Sequence, residues 1–372
     1  MKKERQSNFE ALRLWAMFII TFHHFAMHQA LPVAVTIPKG INRFLVEVFM
    51  LSQGQMGVIL FFAITAYFLC DSTPSLHKAF KKAWSLEWEV LFWSLMLSVL
   101  SIAKGWGPFP TSSKKGFLKY FISAFTPVLS DTWWFTTAYM GFLVLSPFLI
   151  KLLQTLTQKW HFVLSIIALA TGLSSQIPII KKSFTDGSGF IDLELIGLFI
   201  IIAYIRWYAP ELFKKPVLSV VCLLIGYAWT SVHVILQFNM TPLAYNPAVL
   251  FEAFGWFSLF CNLHFQSKIV NRLAKHTFAV YLITEFGTMR IFLWQKVFSI
   301  QPFLHSPWLI LYALAATLTI YISCMLLDWV RSLIFKVTVD RFEGVLFEWL
   351  WNSVNRIVTP WVTKGKDEKQ IE

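Results

Sequence analysis

The chain has 372 residues, 56% of them hydrophobic and only 14% charged, with a mean hydropathy of +0.60. A soluble domain carries about a quarter charged residues, so these proportions exclude one and indicate an all-α polytopic membrane protein. The net charge of +12 sits in short Lys/Arg clusters between apolar runs, with no stripe of stacking aromatics among them, which excludes a nucleic-acid surface.

Spans of about twenty apolar residues fall at 9–30, 54–71, 84–103, 133–153, 160–177, 191–208, 216–236, 247–265, 276–296 and 308–328, predicting ten transmembrane helices. The first run follows a basic start but has no small-residue cleavage site, so it reads as a retained span. Most Lys and Arg fall on alternate loops and in the C-terminal tail, which places both termini in the cytoplasm. The loops 31–53 and 104–132 are long enough to form lids. The four cysteines, Cys70, Cys222, Cys261 and Cys324, lie at or inside apolar runs without Cys-x-x-Cys spacing, so neither a zinc site nor a disulfide framework is indicated and no metal is required. The expected organisation is a transmembrane domain over 1–330 and a cytoplasmic tail over 331–372. In that tail Phe342, Val345, Leu346, Trp349 and Leu350 recur at helical spacing, as in an amphipathic helix lying on a membrane surface.

The first span carries unusual polarity. Arg13 and His24 are eleven positions apart, which puts them on one helix face about 16 Å apart along the axis. His28 follows on nearly the same face, and His23 is rotated by roughly 100°. Glu10 is close enough to pair with Arg13 at i,i+3. Arg13 near one end can snorkel to headgroups, and His28 can sit at the interface. An imidazole at the depth of His24 needs a partner or a polar pocket. A base above a fixed cation suits proton abstraction from a hydroxyl near an anionic donor.

The segment "NFEALRLWAMFIITFHH" resembles the opening of acyltransferase family 3, whose signature is Arg, ten residues, then His, here Arg13 and His24 with Glu10 before them. "GVILFFAITAYFL" from Gly57, "WWFTTAYMGFLVLSPFL" from Trp133, "LFIIIAYIR" ending at Arg206, "TFAVYLITEF" ending at Phe286 and "CMLLDWVRSLIF" from Cys324 resemble later segments of that family, in order. The resemblance is to the surface-polysaccharide O-acyltransferase branch. It implies transfer of an acetyl or similar short acyl group from acyl-CoA to a hydroxyl of a surface or lipid-linked glycan, in the cytoplasmic membrane. It further implies His24 as general base or transient acyl carrier and Arg13 at the CoA phosphates, aided by Lys78, Lys81 and Lys82. The sequence departs from the family in three places. Thr65-Ala66-Tyr67 replaces Ser-Gly-aromatic, lysines replace arginines after the second span, and Thr284 stands where a histidine commonly ends Tyr-Leu-x-His.

The candidate substrate-binding set is Glu10, His23, Tyr67, Trp134, Tyr139 and Glu285. Trp133, Trp134 and Tyr139 fit either an interfacial aromatic belt or a platform for a sugar ring. Glu285 and Arg290 fit an ion pair or an acceptor-binding pair, and either Glu285 or Arg290 takes over the polar role of the missing histidine or that role is dispensable. Glu87 and Glu89 are expected to be solvated or to neutralise Lys81 and Lys82. Glu252 fits a proton relay or a water-accessible span, and "DGSG" from Asp186 is a turn. The alternative function is a secondary transporter with Arg13 and His24 along its path, but no paired broken-helix repeats are visible. A non-catalytic scaffold would leave His24 unexplained.

Overall fold

The computed structural model describes residues 5–106, 114–174, 190–236 and 246–367; the turn at Asp186 lies outside them. Among the described residues every regular element is helical and there is no strand. In lipid each backbone polar group must be satisfied within its own segment, and the helix does this. The principal helices are α1 Ser7–Met27, α2 Gly54–Leu69, α3 Leu76–Lys104, α4 Lys114–Phe125, α5 Trp134–Thr155, α6 Gln158–Ser174, α7 Phe190–Tyr208, α8 Pro216–Ile235, α9 Pro247–Cys261, α10 Thr277–Thr284, α11 Leu309–Val337 and α12 Glu343–Asp367.

Five helical stretches among the described residues are long and apolar enough to cross a membrane: Ile41–Leu69, Leu76–Lys104, Trp134–Thr155, Pro216–Ile235 and Leu309–Arg341. The other expected spans form helices that are shorter or carry charge. α1 is the instructive one. It holds Glu10 and Arg13, yet it is enclosed by α2, α9, α10 and α11, so its polar groups face protein rather than lipid.

Close approach of α1 and α2 is set by two glycines. A Cβ on Gly57 would stand 2.9 Å from the Ala16 carbonyl oxygen, and one on Gly54 would stand 2.5 Å from the His23 ring. Small residues at such a crossing let two backbones meet.

Two expected spans differ in the structure. The ninth, 276–296, is broken: α10 ends at Thr284, a short helix covers Gly287–Ile291, and a π-helical turn covers Phe292–Val297. Periodicity of apolar residues does not report such a break. The tenth, 308–328, continues to Val337, so the expected domain boundary at 330/331 falls inside a helix. Beyond it, α12 docks on the first turns of α3. Glu348 accepts hydrogen bonds from Lys81 and His77 at 2.8 Å each, and Trp84 Nε1 donates to the Glu343 carbonyl at 3.1 Å. The buried Phe347 stacks edge-on to His77, while Val345, Trp349 and Ile357 are exposed on the other side.

Candidate active site

α1 brings two polar groups into the bundle. At its start, the buried Glu10 holds two arginines: Arg13 Nη1 at 3.1 Å and Arg5 Nη1 at 3.4 Å. The Arg13 guanidinium also stands 6.0 Å from the centre of the Phe61 ring on α2. Three turns further on, His24 Nδ1 lies 3.1 Å from Glu285 Oε1. Met17, Ile20 and Thr21 fill the same face between them and are buried.

His28 shares that carboxylate, with Nε2 at 3.1 Å from Oε1 and 3.2 Å from Oε2. The rings of His24 and His28 stack with centroids 5.3 Å apart. Arg290 Nε stands 3.9 Å from Oε2. A single carboxylate thus faces two imidazoles and a guanidinium. The His24 Nδ1 and Glu285 Oε1 atoms are both buried, and neither makes an aligned hydrogen bond despite their short separation. The three groups His24, His28 and Glu285 also form a set that could hold a metal ion, with their ligand atoms within 4.8 Å of one another.

The break after α10 puts Glu285 there. Thr284 Oγ1 donates to the Val280 carbonyl and stays on the helix, so it does not reach α1. The Glu285 amide still bonds Tyr281 O at 2.9 Å, and Phe286 then turns extended, at φ −65° and ψ 129°. The carbonyl of Leu282, which a continuing helix would use at residue 286, accepts from Trp133 Nε1 at 3.1 Å. Trp133 is therefore a buried brace for the broken helix rather than part of an interfacial belt. Of the two residues placed to replace the family's usual histidine, Glu285 makes the contact with His24.

The remaining candidates are dispersed. His23 turns away from the cluster and donates from Nδ1 to the Met50 carbonyl at 3.1 Å. Tyr67 sits by the start of α1, stacked on Phe9, with its hydroxyl accepting from Arg206 at 2.8 Å and the guanidinium over its ring at 4.2 Å. Arg206 also grips Asp71, at 2.7 and 3.1 Å. Tyr67, Arg206, Lys214, Gln6, Asn8 and Asn262 line a cavity of about 700 Å³. Tyr139 is buried and bonds Thr65 at 3.0 Å, and Trp134 lies half-buried against Phe135. Lys81 is engaged by Glu348, whereas Lys78 and Lys82 border a cavity of about 150 Å³ beside Pro147. No contact among the described residues joins these lysines to Arg13.

The expectation that Glu89 is solvated or neutralises Lys81 and Lys82 is corrected. Glu89 points into the bundle and faces Arg331 at 3.6 Å. It belongs to a buried network that sequence reasoning missed. In it Asp328 accepts from His276 Nδ1 at 2.7 Å, from Trp93 Nε1 at 3.1 Å and from Arg331 Nη2 at 3.2 Å. The available signal was an Asp and an Arg at i,i+3 inside an apolar run. Glu252 is likewise buried, accepting from Thr230 at 2.9 Å.

A family model described as an acyltransferase domain matches residues 6–328. Nothing matches among curated proteins or among solved structures. The matched stretch takes in the Glu10–Arg13 pair, the His24–Glu285 contact and Asp328, covering most of the chain, and by that measure this membrane protein belongs to acyltransferase family 3.

Proposed function

We propose that the protein is a ten-span O-acyltransferase of the cytoplasmic membrane with both termini inside. It moves an acetyl or similar short acyl group from acyl-CoA to a hydroxyl of a surface polysaccharide or lipid-linked glycan. The observation that carries this reading is the 3.1 Å approach of His24 Nδ1 to Glu285 Oε1. A carboxylate at Nδ1 favours the tautomer with its proton there, leaving the Nε2 lone pair to act as base. It also stabilises the imidazolium that forms when that base takes a proton, as in other His–carboxylate pairs.

The reaction balances through His24. The acceptor hydroxyl gives its proton to Nε2 as its oxygen attacks the thioester carbonyl. The tetrahedral oxyanion then collapses, the carbon–sulfur bond breaks, and the imidazolium returns the proton to the departing thiolate. The same carboxylate would stabilise the acyl-imidazolium of a relay through His24, so that route stays the alternative to direct transfer.

The donor's phosphates suit the start of α1, where permanent cations gather. Arg13 is oriented by Glu10, and Arg206 and Lys214 line the neighbouring 700 Å³ cavity with the Tyr67 ring. Guanidinium groups bind phosphate through paired donors. Lys78 and Lys82 make no ion pair among the described residues and supply further charge for the donor. Asn8 and His24 are about 24 Å apart along the helix, and the buried Met17, Ile20 and Thr21 fill the face between them, so a thioester arm reaching His24 has to displace these side chains. Trp134 and Tyr139 remain candidates for the sugar side.

The test is binding of labelled acetyl-CoA to the detergent-purified protein. The wild type should bind it, and Arg13→Ala should weaken binding with folding intact. Failure of the wild type to recognise acetyl-CoA or a longer acyl-CoA would remove the reading.

A further inference from the structure

The cluster around Glu285 has ligand chemistry as well as base chemistry. His24 in the last turn of α1 and His28 at its C-cap sit at i,i+4, the spacing by which a helix end presents two imidazoles to one ion. The broken helix after α10 supplies a carboxylate from 257 positions beyond His28. Glu285 Oε1 lies 3.1 Å from His24 Nδ1 and 3.1 Å from His28 Nε2. A tetrahedral zinc with bonds of about 2.0–2.1 Å sets its ligand atoms roughly 3.3–3.5 Å apart, so two of the three edges need only slight opening. The third lies within 4.8 Å.

A second observation points the same way. His24 Nδ1 and Glu285 Oε1 are buried without an aligned hydrogen bond, although they stand only 3.1 Å apart. Buried polar atoms are seldom left so. The other carboxylate oxygen, Oε2, faces Arg290 at 3.9 Å and would keep that contact while Oε1 ligates, an outer partner of the kind that orients metal ligands.

We propose that His24, His28 and Glu285 bind one divalent transition-metal ion of the zinc type, and that this ion blocks acyl transfer by fixing the wrong tautomer of His24. The blocking half rests on the function proposed above; the binding half does not. A metal on Nδ1 requires the lone pair there, so the ring's one proton must sit on Nε2. Nε2 is then a donor and cannot take a proton from the acceptor hydroxyl. Two His ligands and one carboxylate also leave a coordination position open, which an incoming hydroxyl or water would fill.

The experiment uses the full chain, purified without a histidine tag, stripped with chelator and titrated with zinc chloride under calorimetry, with bound metal counted by mass spectrometry. One ion per chain is expected. His28→Asn and Glu285→Gln should each weaken binding by about tenfold or more, and His305→Ala, at an exposed histidine far along the chain, should leave it unchanged. Gel filtration of each variant checks that it is folded, and the second ligand substitution decides if the first fails. Absence of stoichiometric binding, or binding untouched by both ligand substitutions, overturns the site. In the transfer assay, saturating zinc should suppress acetylation by the wild type. Undiminished transfer with the ion bound overturns the tautomer block, whereas a wild type that transfers nothing even without zinc refutes the proposed function, and with it the block, and leaves the site to stand or fall on the titration.

Discussion

His24 Nδ1 and Glu285 Oε1 meet at 3.1 Å although 261 positions of chain separate them. The meeting depends on the end of α10 at Thr284 and on Trp133, which occupies the carbonyl that the broken helix frees. Replacing Glu285 by Gln keeps its shape and removes its charge. The expected outcome is a fall in kcat of about 10²-fold, within the range of general acid–base contributions, with donor affinity unchanged. Equal loss in kcat and in donor binding would show that Glu285 acts on the donor instead.

Trp133→Phe removes the indole donor and leaves the Leu282 carbonyl buried and unpaired, a loss of about 1–3 kcal/mol. Loosening of the break should lower kcat more than it raises the donor KM. Thermal unfolding in detergent and steady-state kinetics together check this. A variant as stable and as active as the wild type would mean that the brace does not hold Glu285.

Gly57→Ala forces a methyl to within 2.9 Å of the Ala16 carbonyl oxygen. The neighbour is backbone and cannot swing aside, so overpacking of about 1–3 kcal/mol is expected. Gly54→Ala meets the His23 ring at 2.5 Å and should disturb the His23–Met50 hydrogen bond next to the His24 ring. Unfolding temperatures of the two variants against wild type test the contact between α1 and α2.

The docking of α12 carries a pH signature. The hydrogen bond from Lys81, and then that from His77, hold the Glu348 carboxyl below its ordinary value of 4.5. A carboxyl with a depressed folded value contributes stability that is complete above its unfolded value and lost as pH falls through the folded one. Protection factors in α12, corrected for the intrinsic pH dependence of exchange, should therefore be high above about pH 4.5 and fall below it, and Glu348→Gln should show low protection at both. Protection that grows on acidification would contradict the pairing.

Much of this was legible in the residues. The all-α membrane class follows from hydropathy, and the polarity of α1 follows from Arg13, His24 and His28 at helical spacing. Glu285 was recognisable as an acid inside an apolar run. Its partners were not, because that it meets His24 and His28 and not His23 depends on how α1 rotates against α2, where Gly54 and Gly57 set the close approach. The break of the ninth expected span was hidden for a related reason. Leu282 and Ile283 before it and Met289 and Leu293 after it are apolar and buried, so the hydrophobic pattern continues where the hydrogen-bond ladder does not. Glu89 misled because helical phase relative to neighbours, not sequence proximity to Lys81, decides that it faces Arg331.

The most direct measurement is the ester content of the surface glycan in a deletion strain complemented with wild type or His24→Ala, at matched levels of protein in the membrane. Restoration of the ester by wild type and its absence with His24→Ala is the predicted result. Equal ester with both would contradict an imidazole-centred transfer.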